Sequence, residues 1–217
     1  MGPPRSQTTR DWVDTAASLF PLDFPFAPGD NYRTSTLSGS GRIHIPRKEE
    51  NTMSKSEQFL REAFAGESQA NRKYLAFAEK ADQEGHPQVA RMFRAAAAAE
   101  TVHAHSHLRA LKGVRTTREN LQEAIAGETH EFKKMYPEMI EAAKDEGHKA
   151  AERTFTYANE VEKVHAQLYE KLLSNLGNPQ ENYPYHVCPV CGYTAEKDAP
   201  DICPVCGARG SMFQKVD

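Results

Sequence analysis

From Ser54 onward, apolar residues recur at intervals of three and four among Ala, Glu, Lys and Arg, the pattern of helices that bury one face. Start and stop signals cut this stretch into four. Ser54-x-x-Glu57 has the form of a capping box, Gly85 ends the first helix, and Pro87 suits the first turn of the second, which Gly113 closes. Thr116-x-x-Glu119 opens the third, Gly147 separates it from the fourth, and Gly177 with Pro179 stops the fourth. The expected helices span 54–84, 87–112, 117–146 and 148–176, with Pro137 kinking the third.

Outside this stretch the texture differs. Residues 1–52 are rich in Pro, Gly, Ser and Thr without helical or strand periodicity, and read as a disordered extension. Asp11, Asp14 and Asp23 interrupt the apolar run that a secretory signal would need. Lys48-Glu49-Glu50 can be encoded by a purine run like a bacterial ribosome-binding site, which makes Met53 a candidate initiator. The chain therefore divides into an extension (1–52), a helical domain (53–177) and a small C-terminal module (178–217).

Composition narrows the function classes. With 217 residues, 39% hydrophobic and 26% charged, the chain has room for one medium domain and an appendage. A net charge of -3 gives no basic field for nucleic acid. No run approaches the ~18 apolar residues of a membrane span; even Ala95–Ala99 is bounded by Arg94 and Glu100. All four Cys lie in the last 30 residues as two Cys-x-x-Cys pairs, which suits a metal knuckle in a reducing compartment, and a cytoplasmic location is expected.

The two helix pairs repeat each other. Leu60-Arg-Glu-Ala-Phe-Ala-Gly-Glu67 matches Leu121-Gln-Glu-Ala-Ile-Ala-Gly-Glu128 at an offset of 61, whereas Glu84-Gly-His86 matches Glu146-Gly-His148 at 62, so one residue was inserted in between. The offset of 62 also carries Glu100-x-x-His103 onto Glu162-x-x-His165. A repeated helical hairpin implies a bundle with internal pseudosymmetry.

The repeated residues are those of a binuclear carboxylate site. Such a site takes one Glu from each of two helices and a Glu-x-x-His from each of the other two, because positions three apart share a helix face. Here Glu67 and Glu128 are the single carboxylates, and Glu100/His103 and Glu162/His165 are the pairs. Phe64, Ile125, Leu168 and Leu172 place these acids on apolar faces, so they are expected to be buried. Hard carboxylates with one imidazole per metal suit two iron ions, or manganese. Tyr74 and Tyr136, seven and eight residues after the single glutamates, are close enough to donate hydrogen bonds to the carboxylates. His86, His105, His130 and His148 are not expected to ligate, and His107, a turn beyond His103, is the most plausible exception.

Cys188-Pro-Val-Cys191-Gly and Cys203-Pro-Val-Cys206-Gly form two near-identical knuckles, a strong signal for a tetrahedral all-thiolate metal site. So small a module needs its metal to fold. Spacing leaves iron and zinc both open; an adjacent redox centre favours one iron, as an electron relay. Tyr185, Tyr193, Ile202 and Phe213 are its expected packing residues.

Over residues 54–217 the sequence resembles the rubrerythrin family, on Phe64-Ala-Gly-Glu-Ser-Gln-Ala70, Ala126-Gly-Glu-Thr-His-Glu131, Met135-Tyr-Pro-Glu138 and the cysteine motifs. The resemblance implies an all-α ferritin-like four-helix bundle with a C-terminal rubredoxin-like domain. It implies a peroxidase that reduces hydrogen peroxide to water, in oxidative-stress defence, with electrons from an NAD(P)H-linked reductase or a rubredoxin. It also implies a role for Glu131, whose counterpart in the first repeat is Ala70: one iron moves between Glu131 when oxidised and His103 when reduced. The chain has no Gly-rich dinucleotide fingerprint, so reductant comes from a partner. A ferroxidase or iron-storage protein with a structural zinc ribbon is the rival reading, and a non-catalytic zinc adaptor a third.

Ferritin-like bundles need the chain to return the length of the bundle between the second and third helices. Residues 113–116 reach only about 14 Å against helices of ~40 Å. The expectation is a homodimer that exchanges helical hairpins, each di-iron site combining Glu67, Glu100 and His103 of one chain with Glu128, Glu131, Glu162 and His165 of the other. An up-down-up-down bundle within one chain is the alternative.

Overall fold

Two capping boxes set where the hairpins begin. In a computed structural model, which describes residues 54–179 and 181–217, Ser54 Oγ accepts from the Glu57 amide at 3.2 Å and the Ser54 amide donates to the Glu57 carboxylate at 3.3 Å. Helix α1 (Lys55–Gln83) starts there. Thr116 and Glu119 repeat the arrangement at 3.3 and 3.1 Å and start α3 (Thr117–His130). Helix α2 is Pro87–Ala110, α4 is Tyr136–Asp145 and α5 is Lys149–Ser174. The readings of residues 1–52 and of Met53 lie outside the described residues.

The repeat extends to the helix ends. Gly85 and Gly147 take φ of 79° and 68°, a left-handed turn that glycine adopts without cost from a Cβ. Behind them His86 and His148 donate their amides to the carbonyls of Ala81 and Ala143, both at 2.8 Å. The close of α2 differs from expectation. Lys112, not Gly113, takes the left-handed conformation, with φ 56°. Gly113 lies close to Leu108 instead: its amide bonds the Leu108 carbonyl at 2.9 Å, and a Cβ there would lie 2.4 Å from Leu108 Cδ1, so the leucine side chain would have to turn aside.

The third helix is interrupted by a π-helical turn at Glu131–Met135, not by a simple kink at Pro137. This turn holds the inserted residue of the second repeat. The first repeat has four residues, Ala70–Lys73, between the aligned segment of Glu67 and Tyr74; the second has five, Glu131–Met135, before Tyr136. Widening one turn lets the helix absorb an extra residue without rotating the residues beyond it. Pro137, which has no amide to donate, stands in the first turn of α4.

The chain supplies the helices of a four-helix bundle as two hairpins. In the first, Ala78, Ala81 and Ala90 bury against Phe93, Asn71 reaches across to the Ala97 carbonyl (2.6 Å) and Thr101 Oγ1 (2.9 Å), and Arg94 pairs with Asp82 at 2.7 Å. In the second, α3 and α4 pack on α5, burying Ala143, Val161 and Ala166. Among the described residues neither α1 nor α2 packs on α3, α4 or α5, so up-down-up-down closure within one chain is not formed. No described side chain of the helical region larger than valine is buried. Among the described residues no helix is long and apolar enough to cross a membrane.

The C-terminal module is a three-stranded antiparallel sheet in the order β2-β1-β3, with β1 Tyr185–Val187, β2 Thr194–Glu196 and β3 Gln214–Val216. Tyr193 and Phe213 pack edge to face, with centroids 6.4 Å apart, and Tyr185 packs with Tyr183 at 5.7 Å. Ile202 departs from expectation: it is 57% exposed and pairs through its backbone with Arg209 instead of entering the core. The sheet docks on its own chain's α5, where Gly192 faces Val161 and Lys171 bonds Glu196.

Candidate metal centres

Three clusters of donor atoms stand out among the described residues, and the helical repeat relates two of them. On the first hairpin, Glu67 of α1 meets Glu100 and His103 of α2; on the second, Glu128 of α3 meets Glu162 and His165 of α5. In each set one ligand atom per residue lies within 4.8 Å of the others. The i, i+3 spacing makes the same bond twice: His103 Nδ1 to Glu100 Oε2 at 2.9 Å and His165 Nδ1 to Glu162 Oε2 at 2.8 Å. Both histidines thus turn Nδ1 toward the carboxylates. His165 Nδ1 also lies 3.9 Å from Glu128 Oε1.

The acids are half-buried, not buried as the apolar flanks imply, because neither hairpin covers the other. Charge crowding is strongest on the second. Burial together with the charge of and hydrogen bond to Glu162 pushes Glu128 up to about 7. Glu131 is outside the tight triad, yet burial and the Glu162 charge raise its pKa too, so it borders the same site. Tyr136 keeps its proton through burial and the charges of Glu131, Glu162 and Glu128. Tyr74 stands differently: its ring joins Phe93 and Phe77 at 6.1 and 6.4 Å, and among the described residues no hydrogen bond links it to Glu67.

Two neighbours of the second cluster were not singled out from sequence. Tyr169 is four residues after His165, and burial with the charges of Glu128 and Glu162 raises its pKa. Its helical spacing from Glu162 and His165 was a usable signal. Thr194, whose Oγ1 lies 3.0 Å from His165 Nε2, comes from the cysteine module and had no local signal. His86, His105, His107, His130 and His148 are in none of the three clusters; His148 Nδ1 accepts from the Ala151 amide at 3.2 Å as a helix cap.

The third cluster is Cys188, Cys191, Cys203 and Cys206. The two knuckles are congruent. Gly192 and Gly207 take φ of 86° and 78°, their amides bond the Cys188 and Cys203 carbonyls at 2.9 and 3.0 Å, and the Cys188 and Cys203 amides donate to the Tyr193 and Ala208 carbonyls at 2.9 and 2.7 Å. The Cys188–Cys206 and Cys191–Cys203 sulfurs are 3.6 and 3.5 Å apart, too far for disulfides. They are close to the roughly 3.8 Å edge of a tetrahedron with ~2.3 Å metal–sulfur bonds, so the residues fit a tetrathiolate metal. Burial pushes the Cys191 and Cys206 thiols up. At Cys203 burial is outweighed by the amides of Cys206 and Val205, which hold it at about 7.

These features define a class: a helical metalloprotein with paired carboxylate–histidine sites and an appended tetrathiolate module. The chain belongs to the rubrerythrin family. The Rubrerythrin family model matches residues 58–173, and the model described as "Rubrerythrin, rubredoxin-like domain" matches 186–214. Rubrerythrin-2 of Clostridium acetobutylicum is 39% identical over 172 residues, which cover 72% of this chain and 94% of that protein. Rubrerythrin of Porphyromonas gingivalis is 34% identical over 182 residues, 75% and 90% of the two chains. Among solved structures, a mixed-valence state of nigerythrin matches with a TM-score of 0.46 and 28% identity, covering 87% of this chain and all of that one.

Proposed function

We propose that the protein is a non-haem di-iron peroxidase that reduces hydrogen peroxide to water, with electrons delivered through an iron held by Cys188, Cys191, Cys203 and Cys206. The carrying observation is that the cysteine module docks on helix α5 at a ligand of the carboxylate cluster, through the Thr194–His165 bond. Breaking the O–O bond to give two waters takes two electrons and two protons. Bound there as a ferrous pair, iron would supply the two electrons. Glu67, Glu100 and His103 would hold one half of the site and Glu128, Glu162 and His165 the other, with Glu131 as a further carboxylate. Tyr136 and Tyr169, whose hydroxyl protons are held by burial and the charges of the neighbouring carboxylates, provide proton-bearing groups beside the site.

The two halves come together between chains. A helical region that buries nothing larger than valine lacks the core an independent domain needs. Each hairpin exposes large apolar residues instead, such as Phe59, Phe77, Met92 and Val102 on the first and Met139 on the second. In this reading a second copy covers them, and each site takes its first half from one chain and its second half from the other. A separate NAD(P)H-linked reductase or rubredoxin in the cytoplasm reduces the tetrathiolate iron.

The test is anaerobic. The iron-loaded protein is reduced, stoichiometric peroxide is added, and the visible spectrum of the tetrathiolate centre is followed with metal analysis of both sites. Reoxidation of the di-iron site followed by the tetrathiolate iron is expected. Zinc at the cysteines, or oxygen-driven mineral growth without a peroxide response, would overturn it in favour of an iron-handling protein.

A further inference from the structure

The two histidine ligands are not held alike. Among the described residues His103 makes one side-chain hydrogen bond, to Glu100, and its side chain is 55% exposed; His165 is 27% exposed and held at both ring nitrogens. Glu162 meets Nδ1 at 2.8 Å, and Thr194 Oγ1 meets Nε2 at 3.0 Å. The direction of the second bond is set by the threonine's other contact. Thr194 Oγ1 donates its one proton to the Gly192 carbonyl at 3.1 Å, and a carbonyl can only accept. The hydroxyl therefore faces the ring with a lone pair, and Nε2 is the donor. Nδ1 is then the nitrogen turned to Glu162 and Glu128; it donates to the Glu162 carboxylate at 2.8 Å here, and it is the one that would offer its lone pair to a metal on giving up that proton.

Thr194 owes its place to the first cysteine knuckle. The Gly192 amide bonds the Cys188 carbonyl, the Cys188 amide bonds the Tyr193 carbonyl, and strand β2 begins at Thr194. A metal on the four thiolates holds that turn in shape. The hydroxyl and the carbonyl that orients it thus belong to a segment whose geometry depends on one metal, and they act on a ligand of another.

We propose that Thr194 is a positioning residue for the carboxylate–histidine centre: it accepts a hydrogen bond from Nε2–H of His165, presents Nδ1 as the ligand atom, and couples that presentation to metal occupancy of the cysteine knuckle. This rests on the reading of Glu128, Glu162 and His165 as metal ligands. Partners that fix a ligating histidine through its other nitrogen are worth roughly 10–100-fold in metal affinity. Coupling is reciprocal, so occupancy of either site favours occupancy of the other.

The experiment uses the full chain with zinc in the four-cysteine site, manganese(II) titrated into the carboxylate site, and free manganese counted by electron paramagnetic resonance. Thr194→Val should weaken manganese binding about tenfold, Thr194→Ser should restore it, and both variants should keep their zinc and helical circular dichroism. Removing the zinc should weaken manganese binding to wild type and leave Thr194→Val little changed. Wild-type affinity in Thr194→Val would overturn the proposal, as would a serine variant as weak as valine, which would mean that shape and not the hydroxyl matters. If wild type binds manganese no better than Glu162→Gln, the metal-site reading itself has failed.

Discussion

Lys171 Nζ donates to both carboxylate oxygens of Glu196, at 2.8 and 2.7 Å, and so ties helix α5 to strand β2 two residues from Thr194. The Tyr183 hydroxyl donates a short bond to the same carboxylate, and Lys171 and Lys197 lie over the Tyr183 ring at 5.8 and 5.3 Å. This clamp fixes the module on the helix that carries Glu162 and His165. The Thr194–His165 contact depends on it, and so would the proposed electron path.

Acid should release the clamp. Partial burial pushes Glu196 up, but the bonds from Lys171 and Tyr183 and the charges of Lys171 and Lys197 outweigh it and hold the carboxyl below its ordinary value of 4.5. A depressed carboxyl contributes stability above the unfolded value and loses it as pH falls through the folded one. Docking should therefore be constant from pH 7 to 5 and loosen below 4.5. Amide exchange at Thr194–Glu196 measures this. Lys171→Met should raise that exchange already at pH 7 with the tetrathiolate metal retained, and unchanged exchange would show that the clamp does not hold the module.

Glu131 opens the π-helical turn and has no carboxylate counterpart in the first repeat. Glu131→Gln should leave the Glu128, Glu162 and His165 triad in place and lower peroxide turnover about tenfold or more. Stopped-flow oxidation of the reduced protein is the measurement, with metal content as control. Turnover at the wild-type rate would remove Glu131 from the site. Deleting Lys133 should convert the turn to the four-residue α-helical form of the first repeat, with helical circular dichroism kept and Tm within about 4 °C. Loss of the fold on deletion would mean that the extra residue is not held by this turn.

The four helical segments, their two capping boxes and the two carboxylate–histidine clusters were legible in the sequence because each rests on local spacing. A capping box and a Glu-x-x-His pair each span four residues. The change of offset from 61 to 62 announced an inserted residue, but apolar spacing does not record whether a helix takes an insertion as a kink or a widened turn. Pro137 was the visible breaker, and the turn forms just before it. Thr194 was illegible for a different reason. Its partner His165 is 29 residues away on another element, and only docking of the module brings them together. The half-burial of the glutamates has the same origin, since burial depends on what packs over a hairpin.

Lys112 offers a local test of the link between the hairpins. It holds φ 56°, which costs a residue with a Cβ about 1–2 kcal/mol. Lys112→Gly relieves this and gives back roughly 0.5–1 kcal/mol in unfolded-state entropy. Net stabilisation of about 0.5–1 kcal/mol is expected in chemical denaturation. Destabilisation would show that the lysine side chain contributes more to the link than its backbone costs.

Exchange of hairpins between chains makes a prediction that closure within a chain does not. One variant carries Glu67→Ala and Glu100→Ala, which disable the first half-site; another carries Glu128→Ala and Glu162→Ala, which disable the second. Each is inactive alone in either arrangement. After co-refolding, a mixed exchanged dimer joins the intact first hairpin of one chain to the intact second hairpin of the other. It gains one complete site, and its second site is disabled on both halves. With random pairing about half the dimers are mixed, so peroxide turnover should recover to about one quarter of wild type. Closure within each chain leaves every site with one disabled half. Recovery would then be nil, and the exchanged dimer would have to be abandoned.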